Sequence, residues 1–153
     1  KLEWSKQYVK NAKKAGLIIH GCFMVGNPGD TKETMEETFQ LSLKLNPDTA
    51  QFFPLMVYPG TEAYKWAQTR GYLTTNDFSK WVTEDGLHSC IISTPEISAE
   101  ELVAFCDEAR RRYYLRPAYI FSKLRQFIFY PAERKRLLKA GVRFIKFISK
   151  KGK

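Results

Sequence analysis

The chain has 153 residues, 44% of them apolar and 14% aromatic, which suits one ordinary domain with a sizeable core, or part of one. Charged residues make up 27% and no apolar run approaches the ~18 residues of a membrane-spanning helix, which argues against an integral helical membrane protein, a collagenous repeat and wholesale disorder. The net charge of +9 is unevenly placed, since residues 1–109 hold 10 Lys/Arg against 15 Asp/Glu while residues 110–153 hold 15 against 1.

Residues 2–15 set Leu2, Val9 and Ala12 among Lys and Glu, a helical pattern closed by Gly16. LIIHGCFMV, residues 17–25, reads as a strand that stops at the turn formers Gly26-Asn27-Pro28-Gly29. Asp30 or Thr31 can cap the next helix, and Asp30 with Glu33 has capping-box spacing. Met35, Phe39, Ser42 and Leu43 then line one face up to Pro47. Residues 49–58 form a second expected strand, in which Pro54 marks a bulge or the end of pairing. Pro59-Gly60-Thr61 turns into a short helix from Glu62. Helices alternating with strands over short connections predict βαβ units, a parallel sheet and an α/β class.

Residues 71–97 lack a sustained period, so a long excursion with a short strand at 89–93 is expected there, anchored by Tyr72 and Trp81. Ser98 to Glu101 is a second capping signature, opening a helix that runs to Arg116-Pro117. Two more helices are expected at 117–129 and 132–149, separated by Tyr130-Pro131. Cys22, Cys90 and Cys106 form no metal-ligand or disulfide spacing, and His88 beside Ser89-Cys90 lacks a third partner for nucleophilic catalysis. The charged N-terminus carries no secretory signal, so a cytoplasmic location is expected, and a chain starting inside an amphipathic helix also reads as the cut edge of a longer one.

Alternation puts His20, Cys22 and Met24 on one face of the first strand and Gln51, Phe53 and Leu55 on one face of the second. Polar groups there suit a cavity wall, although spacing alone favours a core His and Gln with satisfied hydrogen bonds. Both strands end in Gly/Pro turns, the position at which parallel α/β sheets bind ligands. Gly26–Asp30 also leads into a helix N-terminus whose amides favour an anion. It lacks the Lys-Ser/Thr of a P-loop and does not match GxGxxG.

GCFMVGNPGDTKETMEET, followed by LNPDTAQFFPLMVYPGTEAYKWA and RGYL, resembles the later part of the core domain of radical S-adenosylmethionine enzymes. The resemblance is to the subgroup with a cobalamin-binding domain, which includes the anaerobic magnesium-protoporphyrin ester cyclases. It rests on G-x-P-G-(E/D)-T and Y-P-G-T-E over residues 15–73, and ARRRYYLRPAYIFSKLR resembles the segment that follows the core. It implies an α/β fold that is the C-terminal portion of a partial (β/α)6 TIM-like barrel, with late βα units at 1–73, an irregular excursion at 74–97 and a basic helical extension at 98–153. It further implies that Met24 packs near the adenine of S-adenosylmethionine, that Cys22 reaches its ribose or methionine part, that Gly26 allows close backbone approach, and that Gln51, Phe53 and Leu55 line the adjoining wall.

The family's CxxxCxxC, which binds the 4Fe-4S cluster, is absent from this chain. The expectation is therefore a fragment that is not an enzyme alone, taken from a parent that cleaves S-adenosylmethionine reductively to a 5′-deoxyadenosyl radical. Such a parent would use cobalamin for methyl transfer, cyclisation or rearrangement of a hydrophobic small-molecule substrate such as a tetrapyrrole or lipid. A degenerate stand-alone domain would leave two strands with unpaired edges.

From residue 134, Lys135, Arg136, Lys139, Arg143, Lys146 and Lys150 segregate to one arc of a helix and bulky apolar residues to the rest. Packing on the parent's remaining domains, or peripheral contact with the cytoplasmic membrane face, accounts for this better than nucleic-acid binding by Arg110-Arg111-Arg112 and Tyr113-Tyr114. A different class of function, a non-catalytic module whose basic helices bind an anionic membrane or a partner protein, is the alternative.

Overall fold

The computed structural model describes residues 2–81 and 89–150. Its elements are α1 (Leu2–Lys14), β1 (His20–Val25), α2 (Lys32–Leu45), β2 (Thr49–Pro54), α3 (Glu62–Thr69), α4 (Ala99–Tyr114), α5 (Pro117–Phe129) and α6 (Arg134–Lys150), with 3-10 turns at Phe78–Trp81 and Pro131–Glu133. The class is mixed α/β, with six helices and a two-stranded parallel sheet among the described residues. Contacts divide the chain into two compact units, Lys1–Arg110 and Arg111–Lys153.

In the first unit β1 and β2 pair in parallel from His20↔Thr49 to Val25↔Pro54, and α2 is the crossover between them. The capping box of α2 is Thr31 with Thr34, one residue later than the Asp30–Glu33 spacing suggested, because the Asp30 carboxylate is already engaged by the preceding turn. At the other end Asn46 takes a left-handed φ of 46° and donates its N–H to Ser42 O at 2.9 Å. Lys13 Nζ, at the end of α1, donates to Leu45 O and Asn46 O at 3.3 and 2.6 Å, so carbonyls a helix terminus leaves unpaired are satisfied from another element.

Phe23, Val25, Ala50 and Phe52 are the buried residues of the sheet, and Met35, Phe39 and Ser42 those of α2. Phe52 stacks on Phe23 with centroids 5.3 Å apart and meets Phe39 at 5.9 Å. The buried Ser42 hydroxyl donates to Phe39 O, so it enters the core with its hydrogen bond made.

Both strands are shorter than expected. Leu17 and Ile18 are exposed, and Ile19 N–H donates to the Asp48 carboxylate rather than to a strand. Pro54 ends β2, as its missing N–H suggested, and the last ladder contact is Leu55 N–H to Val25 O at 2.7 Å. The chain then enters a second cluster made of Leu55, Val57, Ala67, Trp81, Ile91 and Ile92, against which Tyr72 packs half-buried.

The expected strand at 89–93 is a single antiparallel bridge, Leu73↔Ile92, flanked by Thr74 N–H to Ile91 O and Ser93 N–H to Tyr72 O, both 2.9 Å. Burial of Trp81 and Ile91 anchors this irregular segment, in place of a continuous ladder. Residues 82–88, including His88, lie outside the described residues. The α4 box forms as the sequence suggests, with Glu101 N–H donating to Ser98 Oγ and Ser98 N–H to the Glu101 carboxylate.

The second unit is an antiparallel helical hairpin. Arg134 donates to Phe127 O and Ile128 O at 2.9 and 3.1 Å, pinning the start of α6 to the end of α5. Phe144, ten residues further along α6, meets Tyr114 at 5.3 Å, and Tyr114 meets Tyr119 near the start of α5 at 5.1 Å. Pro131 opens one 3-10 turn, so α6 starts at Arg134 rather than at 132. No helix among the described residues is long and apolar enough to cross a membrane.

Candidate functional site

Because α2 covers one face of the β1–β2 pair, the other face carries the residues that alternation set apart. Cys22 lies in register with Gln51 and Met24 with Phe53, and the His20 ring and Thr49 hydroxyl sit 2.7 Å apart at the start of the pair. Cys22 and Gln51 are exposed, Met24 is 40% exposed and Phe53 is half-buried. The face is thus open, where the sequence suggested a cavity wall, and none of these side chains lines the hollow over α2 or the one beside α3. His20 is not a core histidine. Leu55, grouped with this face by parity, is buried in the second cluster with Val57, Ala67, Trp81, Ile91 and Ile92.

The C-terminal end of β1 is a tight turn, whereas β2 ends at Pro54, four residues before the turn at Tyr58–Thr61. At the end of β1, Gly26 has φ +84° and Gly29 φ +86°. The Asp30 carboxylate accepts Gly26 N–H at 2.8 Å, Asn27 N–H at 2.9 Å and the Thr34 hydroxyl at 3.0 Å. Amides expected to attract an anion are therefore satisfied by the chain's own carboxylate, a pairing that the three-residue gap between Asn27 and Asp30 permits and that no pattern of residue types announces. A Cβ on Gly26 would lie 2.9 Å from Leu102 Cδ2, so the close neighbour of this glycine within the chain is a side chain of α4. Further along, past the end of β2, the Thr61 hydroxyl donates to Tyr58 O at 2.7 Å and accepts Tyr64 N–H, capping α3.

Beside the turn after β1 a cleft of about 290 Å³ is lined by Asp30, Thr31, Trp66, Arg70, Tyr72 and Glu96, among others. Sequence patterning did not mark it, because α3 and the excursion bring these residues together only in the fold.

Among the described residues no group of three His, Cys, Asp or Glu is placed to hold a metal ion. Burial pushes the Cys90 thiol up, and burial followed by the nearby Asp107 charge pushes Cys106 to about 12, so both stay protonated at neutral pH. A 4Fe-4S cluster needs thiolates, and the residues present do not fit one. An S-adenosylmethionine adenine needs flat apolar contact and a few hydrogen bonds, which Met24, Phe53 and Gln51 on one open face do fit.

Of the basic residues, Lys135, Arg136, Lys139, Arg143 and Lys146 are exposed on α6, and the Lys150 side chain lies outside the described residues. Tyr113 is fully buried with the Arg116 guanidinium 4.1 Å above its ring, so it offers no free surface for a base to stack on.

The chain is similar to proteins of two descriptions. It is 32% identical over 116 residues to an uncharacterized methyltransferase of Pyrococcus horikoshii, covering 76% of this chain and 24% of that protein. It is 25% identical over 114 residues to an anaerobic magnesium-protoporphyrin IX monomethyl ester cyclase of Cereibacter sphaeroides, covering 74% of this chain and 18% of the cyclase. The enzyme of the same description from Rubrivivax gelatinosus is 28% identical over 64 residues, which is 42% of this chain and 12% of that one. The chain thus spans about a quarter or less of the length of these curated relatives. No family model matches it. No solved structure matches it.

Proposed function

We propose that the chain is the late part of the barrel of a radical S-adenosylmethionine enzyme, and that the open face of β1 and β2 is one wall of its S-adenosylmethionine site. One observation carries this reading: Met24 and Phe53 stand side by side on the uncovered face of a parallel pair, and β1 runs directly into the glycine-proline turn at Gly26–Gly29. Similarity to a methyltransferase and to a cyclase acting on a protoporphyrin ester supports the same class.

In this reading Met24 and Phe53 give the adenine apolar contact, Gln51 supplies an amide that both donates and accepts, and Cys22 lies beside Gln51 near the polar part of the ligand. Asp30 locks the turn after β1, so that the end of the strand is held before a ligand arrives. Bound there, S-adenosylmethionine would be the source of methyl-transfer or radical chemistry. Cluster ligands, cobalamin and the hydrophobic substrate belong to the rest of the parent polypeptide, and the part of this chain is to bind, orient and exclude water.

The test is Met24→Asp in the intact parent, followed by equilibrium binding of S-adenosylmethionine and by the visible absorbance of the cluster. A charge on this face should weaken binding by about tenfold or more with cluster absorbance retained. Unchanged affinity would show that this face does not meet the ligand.

A further inference from the structure

The hairpin of the second unit leaves bulky apolar side chains in solvent. Phe121, Leu124 and Ile128 of α5 and Leu138, Val142 and Ile145 of α6 are between 52% and 70% exposed. Their spacings make one stripe on each helix. The half-buried side of α5 carries Tyr119, Gln126 and Phe127, and that of α6 carries Leu137, Phe144 and Ile148. Counting 3.6 residues per turn, the exposed stripe is rotated from the half-buried side by roughly 155° on α5 and roughly 110° on α6, in the same sense along each chain. In an antiparallel pair, equal sense brings both stripes to one side of the hairpin.

Residues 111–153 hold 14 Lys/Arg and one acidic side chain, Glu133, to which Arg136 is bonded. On α6, Lys135, Lys139 and Lys146 follow the apolar stripe directly around the helix and are exposed.

We propose that this side of the hairpin docks on an anionic phospholipid bilayer, with the six apolar side chains entering the acyl boundary and the adjoining lysines meeting headgroup phosphates. Charge selects this occupant. A second copy of the unit would bring a like charge against it, and a nucleic acid would use the cations while leaving the apolar stripes in water. An anionic lipid surface matches both features at once.

Flotation of the full chain with vesicles of phosphatidylcholine alone, and of phosphatidylcholine mixed with phosphatidylglycerol, tests this. Partition should be at least about tenfold stronger on the anionic vesicles and should weaken with salt. Replacing Lys135, Lys139 and Lys146 together by Glu should weaken it by roughly 100-fold. Phe121→Ser with Leu138→Ser and Ile145→Ser should weaken it by about tenfold or more, with helicity followed by circular dichroism. Val142→Phe, which adds apolar area at an exposed site, should strengthen it by about threefold.

Equal partition on neutral and anionic vesicles overturns the proposal. So does binding that the lysine changes abolish but that neither the serine changes nor Val142→Phe moves, which would mark bare polycation adsorption or a preference for nucleic acid. Capture by an acidic protein with no partition on either vesicle overturns it as well.

Discussion

Replacing Gly26 by alanine perturbs the end of β1 in two separable ways. Its φ of +84° lies where an L-residue suffers a steric penalty of about 1–2 kcal/mol. The new Cβ would also lie 2.9 and 3.0 Å from the two Leu102 methyl carbons, and Leu102 is 1% exposed, so its side chain has little room to retreat. Overpacking of this kind costs about 1–3 kcal/mol, so Gly26→Ala should destabilise the first unit by about 2–5 kcal/mol. Leu102→Ala alone should cost a similar amount through the cavity it leaves, about 2–5 kcal/mol.

The double variant separates the two effects, because deleting the Leu102 methyls removes the clash and leaves the backbone penalty. Its loss should fall short of the summed single losses by about 1–3 kcal/mol. Urea unfolding followed by far-ultraviolet circular dichroism measures all three, provided the m-values agree. Additivity to within about 0.5 kcal/mol would refute the packing argument, and a Gly26→Ala loss below that figure would refute the backbone argument too.

Asp30→Ala removes the acceptor for Gly26 N–H and Asn27 N–H and should cost about 2 kcal/mol in the same urea titration; a neutral result would show that the turn holds without its carboxylate. Iodoacetamide at mildly alkaline pH should label Cys22 and spare Cys90 and Cys106 until denaturant is added, read by intact and peptide mass spectrometry. Because the folded-state value of Cys106 is raised from 9.0 to about 12, its contribution to stability is complete below pH 9 and lost as pH climbs through that interval. Cys106→Ala should flatten that part of the stability profile, and an unchanged profile would show that the thiol is not held protonated.

Several elements were legible from residue order because their causes are local. Ser98 and Glu101 satisfy each other's amides within one helical turn, Gly16 stands just past α1, and Pro54 cannot continue a ladder, so each boundary follows from chemistry a few residues wide. Alternation likewise separated Cys22, Met24, Gln51 and Phe53 from the core residues Phe23, Val25 and Phe52, since a strand has period two wherever it is placed. Leu55, which alternation grouped with Gln51 and Phe53, is instead buried in the second cluster, formed with residues far along the chain. The Asp30–Glu33 capping box failed because the carboxylate had nearer donors in its own turn.

Residue order by itself determined the α/β class, the order of the helices, and the division of charge between an acidic first part and a basic second one. Tertiary structure alone decided which sheet face α2 covers and which stays open. It also decided that Leu102, 76 positions further along the chain, fills the space beside Gly26, and that the apolar stripes of α5 and α6 fall on one side of their hairpin. Contacts between distant residues depend on how elements cross, and local propensity carries no term for that; a three-residue cap or a period of two needs none.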